Sequence, residues 1–181
     1  MTLVNPDSEG IISLEDLKSA IQPNTGLITI MHVNNETGTI QDIASIGALA
    51  KQYGALFHVD AAQSAGKLPI DVAAMNIDLL SMTAHKVYGP KGSGAMYVRT
   101  ALHPALAPML HGGGQEKGLR PGTYANHQIV GLGKSLELAG STMQADLAHS
   151  KELRATMLEA LGDVVENGLV GHALDSTRKK F

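Results

Sequence analysis

Cysteine is absent from the 181 residues. This excludes disulfides, thiolate-bound metals and a thiol nucleophile within the chain. Tryptophan is also absent and aromatics make up only 3 %, so the core must be aliphatic. Charge is sparse and nearly balanced: 17 % of residues are charged and the net charge is -3. The one basic cluster, Arg178-Lys179-Lys180, is short and terminal, so no nucleic-acid partner is expected. No apolar run reaches membrane-spanning length, and no membrane partner is expected. Met1-Thr2-Leu3-Val4-Asn5-Pro6 has neither a basic n-region nor an apolar h-region. No signal peptide is read there, and a cytoplasmic setting is the default. The eight histidines include no HxxxH or HExxH spacing, so no metal site is expected.

What is present suits a soluble globular chain: 44 % hydrophobic residues, enough for one core or slightly more. Ser13 and Asp16 resemble a capping box for a short helix over Leu14 to Ile21. Leu27 to Val33 reads as a buried strand ending in the polar loop Asn34-Asn35-Glu36-Thr37-Gly38. Asp42 caps a predicted helix carrying Ile43, Ile46, Leu49 and Ala50, closed by Gly54. Leu56 to Val59, Ile77 to Met82 and Ala95 to Val98 read as further strands. Helices between the earlier strands predict parallel pairing; the return from Lys91 to Val98 is too short for a crossover and predicts an antiparallel strand. Gly112-Gly113-Gly114 opens a loop to Gly122, followed by helices over Ile129 to Leu138 and about Met143 to Val164. The last residues, from His172, show no clear pattern.

The chain is organised around Asp78 to Gly92. An apolar strand stops at small polar residues, Lys86 follows, and Gly89-Pro90 and Gly92 force a turn. Lys86 therefore lies just past the carboxyl end of a strand, where open α/β sheets place their ligand crevice. A lysine held there partly out of water can form a Schiff base; the alternative is a solvated loop lysine. Asn35, Asp60, Thr83 and His85 also fall at or near strand ends, so parallel neighbours would bring them to one crevice. A carboxylate directly after a buried strand needs a partner. An Asp beneath a pyridinium nitrogen and a Lys on an aldehyde are the two groups a pyridoxal phosphate site requires. Each residue has a blander reading: Asp60 as a helix N-cap, Asn35 in an Asx-turn, Gln63 as an exposed turn residue. His85 is read as a donor near an anion. Gly89-Pro90-Lys91-Gly92-Ser93-Gly94 is not a Walker A sequence, and Gly112 to Gly118 misses the dinucleotide fingerprint. Such loops still present backbone N–H groups to a phosphate.

Four stretches in order, His32 to Gly38, Phe57 to Lys67, Ala84 to Gly92 and Gly112 to Thr123, together resemble the cysteine desulfurases of the NifS/IscS type. These are class V, fold-type I pyridoxal phosphate enzymes. The resemblance covers about residues 3 to 140. It implies a mostly parallel α/β sheet flanked by helices, forming a partial large domain over residues 1–140. Residues 141–181 would be a linker helix and the start of a truncated small domain. It implies Lys86 as the Schiff-base lysine and Asp60 as the partner of the pyridine nitrogen. Asn35 and Gln63 would bond the phenolic oxygen, with Thr83 and His85 on the phosphate. Thr123 would be lent to the second subunit's phosphate site, although Pro121 stands where the family usually has Ser.

The implied activity is sulfur removal from L-cysteine, giving L-alanine and an enzyme persulfide. The implied partners are a second copy of the chain and a sulfur acceptor or iron–sulfur scaffold protein. The chain departs from the family by beginning mid-domain and ending before the loop with the nucleophilic Cys. An internal fragment, poorly active or inactive alone, is therefore expected. A selenocysteine lyase or another class V relative, and a non-catalytic dimerising remnant, are the alternatives.

Overall fold

The computed structural model describes residues 1–162. The expected helix end at Val164 and the tail from His172 lie outside them.

Helix α1 (Leu14–Ala20) begins at Ser13, whose hydroxyl accepts the Asp16 N–H. Strand β1 (Leu27–Met31) follows, then α2 (Ile43–Gln52) and β2 (Leu56–Asp60). Asp42 caps α2 through Ser45, which holds its carboxyl below the usual carboxylate range. Strand β3 (Leu79–Thr83) runs into a 3-10 turn (Ala84–Val87), and β4 (Gly94–Val98) returns. The order is β1-β2-β3-β4, with the first two pairings parallel and the last antiparallel, as expected. β1 stops two residues earlier than expected, because Val33 leaves the sheet to bridge Ile40 across the Asn34–Thr39 loop.

The alternation along β2 decides which side is core. Phe57 and Val59 are fully buried, and register sets Ile28, Ile30 and Leu80 on their face. Leu17 of α1 and Ile43, Ile46 and Ala50 of α2 close over that face. Burying each such aliphatic side chain contributes about 1.5–3 kcal/mol. The other face carries Thr29, Met31, His58, Asp60 and Ser81 and is open: Leu27, Met31 and Met96 are exposed.

The two helices expected after residue 129 are one helix, α3 (Asn126–Leu161). Gly140-Ser141-Thr142 does not break it. The Ser141 hydroxyl donates to the Leu138 carbonyl, and the single Thr142 hydroxyl proton is shared between that carbonyl at 3.3 Å and the Asp146 carboxylate at 2.6 Å, so these side chains serve the helix instead of competing with it. No helix among the described residues is long and apolar enough to cross a membrane.

Candidate functional site

The site begins where β3 ends. Thr83 is extended, and the chain then tightens into the Ala84–Val87 turn, closed by Tyr88 in the left-handed region. The Gly89 N–H returns to the Ala84 carbonyl at 2.9 Å. This places Lys86 half-buried past the strand end, as its sequence setting predicted. The Lys86 amine has no hydrogen-bond or ionic partner among the described residues.

Lys86, Asn35 and Gln63 line one cleft of about 880 Å³. Each comes from a different connection: Asn35 from the loop after β1, Gln63 from the turn after β2, Lys86 from the turn after β3. In the Asn34–Thr39 loop the Asx-turn forms on Asn34, not Asn35: the Asn34 side-chain oxygen accepts the N–H groups of Glu36 and Thr37. Asn35 instead donates to the Glu36 carboxylate and stays exposed. Gln63 is half-buried, with no side-chain partner among the described residues.

Asp60, Thr83, His85 and Thr123 are not among the cleft-lining residues. Asp60 lies beside Ser81 in register, so Asp60, Ser81 and Thr83 share the open sheet face. One Asp60 oxygen accepts the Ala62 N–H at 2.9 Å, a local cap like the one its position suggested. The other has no partner, and no cation pairs with Asp60 among the described residues. Thr83 Oγ1 and His85 Nδ1 are bonded at 2.9 Å, at the end of the strand beside Asp60. Thr123 is exposed in the long loop before α3 and joins neither group. The strand ends thus present an amine and two amides in the cleft, and a carboxylate with a hydroxyl–imidazole pair on the open face.

Sequence reasoning missed the wall of the cleft formed by α3, including Lys134, Ser135 and Asp146. The signal was a stripe of small residues at helical spacing: Gly131, Ser135 and Ala139. A Cβ on Gly131 would come within 3.0 Å of Pro90, one on Gly89 within 2.8 Å of Ser135, and one on Gly66 within 2.9 Å of Ala139. Small side chains on both sides let α3 seat directly on the turn that bears Lys86.

The Aminotransferase class-V family profile matches residues 1–179. The cysteine desulfurase IscS of Photobacterium profundum is 51% identical over 164 residues, which is 91% of this chain and 41% of that protein. The cysteine desulfurase IscS of Pasteurella multocida is 49% identical over 179 residues, 97% of this chain and 44% of that protein. The chain thus spans about two-fifths of the length of these relatives. Among solved structures, a NifS-like protein superposes with a TM-score of 0.84 at 38% identity, covering 88% of this chain and 44% of that one. A structure described as SspA in complex with cysteine gives a TM-score of 0.73 at 57% identity, over 75% of this chain and 39% of that one. A match over nearly its whole length, together with a sheet and helices that superpose on NifS-like proteins, means that this chain belongs to the aminotransferase class-V family.

Proposed function

We propose that the chain is the lysine-bearing part of a pyridoxal-phosphate-dependent cysteine desulfurase, which removes sulfur from L-cysteine and leaves L-alanine. The observation that carries this reading is Lys86: a half-buried amine with no partner among the described residues, past the end of a buried strand and sharing a cleft with Asn35 and Gln63. Relatives at about half identity are named cysteine desulfurases, and a 57% identical structure is described as a complex with cysteine.

The donor set fits pyridoxal phosphate. Lys86 supplies the amine for the aldehyde. Asp60, with one oxygen free, supplies the carboxylate for the ring nitrogen. Gln63 and Asn35 supply amides for the phenolic oxygen. The Thr83–His85 pair supplies donors for the phosphate. When bound, the cofactor supplies an electron sink for the carbon bearing the substrate's amine. In this reading Lys86 Nζ holds and returns a proton. The Asp60 carboxylate is the partner that would keep the ring nitrogen protonated. α3 and the Lys86 turn exclude water from one side of the amine.

Thr123 is read as donated to a second copy, which makes the active form a homodimer. The sequence holds no cysteine, so the sulfur-accepting thiol lies outside these residues, and an iron–sulfur scaffold or other acceptor protein is the onward partner. Residues 1–140 are read as large-domain structure and 141–181 as the passage to a small domain, in a cytoplasmic protein.

The test is direct. The purified chain is mixed with pyridoxal phosphate, the yellow absorbance is followed, and borohydride fixes any adduct for peptide mapping. The expected result is a reduced adduct on Lys86 that is lost in Lys86→Ala. No adduct, or one on Lys67 with Lys86 free, refutes the reading.

A further inference from the structure

Among the described residues, one side-chain hydrogen bond joins two strands on the open sheet face: Thr29 Oγ1 to His58 Nδ1 at 2.7 Å. Thr29 and His58 are register partners on β1 and β2, so both side chains leave the sheet on the same side. Asp60 is two residues further along β2 and leaves on that side too, about 6.6 Å along the strand. The two strands flanking β2 add no charge on this face: Thr29 and Met31 come from β1, and Leu79, Ser81 and Thr83 from β3. Asp60 is therefore the one titratable side chain that shares this face with His58 on β1, β2 and β3. His85 lies past Thr83, bonded to it.

We propose that His58 is a positioning residue for Asp60. This rests on the reading of Asp60 as the partner of the cofactor's ring nitrogen. Thr29 fixes the imidazole through Nδ1, which leaves Nε2 as the ring's other polar atom. Asp60 spends one oxygen on the Ala62 N–H and keeps one free. An imidazole N–H reaching the carboxylate directly, or through one water, holds it aimed while the free oxygen meets the cofactor. A carboxylate on an open sheet face is otherwise oriented by a single backbone contact. Thr29, His58 and Asp60 form a relay across two strands, and the cleft-lining residues take no part in it.

The test uses the chain loaded with pyridoxal phosphate, comparing native protein with His58→Phe, His58→Gln and Thr29→Val. The readouts are the pH midpoint of the bound cofactor's absorbance, the cofactor's dissociation constant, and the melting temperature without cofactor. His58→Phe is expected to move the pH midpoint by about half a unit or more and to weaken cofactor binding about tenfold. His58→Gln, which keeps a donor, recovers most of both, and Thr29→Val gives a smaller shift in the same direction. The cofactor-free melting temperatures of His58→Gln and Thr29→Val stay close to native. A midpoint and affinity unchanged in His58→Phe, while the native chain binds cofactor, overturn the role of His58 and leave the proposed function standing. A native chain that binds no cofactor overturns the proposed function, and this inference with it.

Discussion

Gly66 carries two separable constraints, and replacing it by alanine tests how α3 is held. Its φ is +75°, and a Cβ there would lie 2.9 Å from both Val87 Cγ1 and Ala139 Cβ. Gly54 has the same backbone demand, φ +70°, with nothing within 4 Å of its Cβ position. Gly54→Ala therefore measures the left-handed backbone alone, about 1–2 kcal/mol. Gly66→Ala adds the overpacking between the Val87 turn and α3, about 1–3 kcal/mol more. Urea denaturation at neutral pH, followed by far-UV circular dichroism, reads the difference. Each kcal/mol also corresponds to about 2–4 °C in melting temperature for a chain of this size. Gly66→Ala is further expected to loosen the cleft wall and weaken pyridoxal phosphate binding, while Gly54→Ala leaves it intact. Equal destabilisation by the two substitutions refutes the close seating of α3 on the Lys86 turn.

Two further outcomes follow from single side chains. Asp78 accepts the Phe57 N–H at 2.9 Å and pairs with Arg99 at 3.0 Å; Asp78→Ala is expected to cost about 1–3 kcal/mol in urea denaturation, with Asp78→Asn recovering part of it. His32 is buried with an unpartnered Nδ1, and burial pushes its pKa below 6.5. The unfolded chain thus binds the proton more readily, so this contribution is complete above about 6.5 and is lost as pH falls through the folded value. His32→Gln is expected to flatten the stability loss between pH 7 and 5; an unchanged slope refutes this.

Much of the fold was legible because local and long-range preferences agree. Leu56 to Val59 read as a strand followed at once by Asp60, and the strand forms over Leu56–Asp60 with Phe57 and Val59 buried. The short Lys91–Val98 return left no room for a crossover, and β4 pairs antiparallel. The break expected near Gly140-Ser141-Thr142 did not form, because hydroxyl groups that favour turns in an isolated segment bond inside α3. The position of Lys86 was readable from a strand stopping before Gly89-Pro90. The direction of its side chain was not: strand alternation fixes the face of Asp60, but a 3-10 turn resets the direction of Lys86 in a way no spacing rule encodes. His58 escaped notice because its meaning depends on Thr29, 29 residues earlier, becoming its register partner.

α3 is uninterrupted for 36 residues, a rod of about 54 Å. Its tight seat on the lysine turn ends near Ala139, which leaves an overhang of about 33 Å to Leu161. Such an arm is a lever with its fulcrum beside the turn that bears Lys86: a rotation of about 5° at the seat displaces the far tip by about 3 Å.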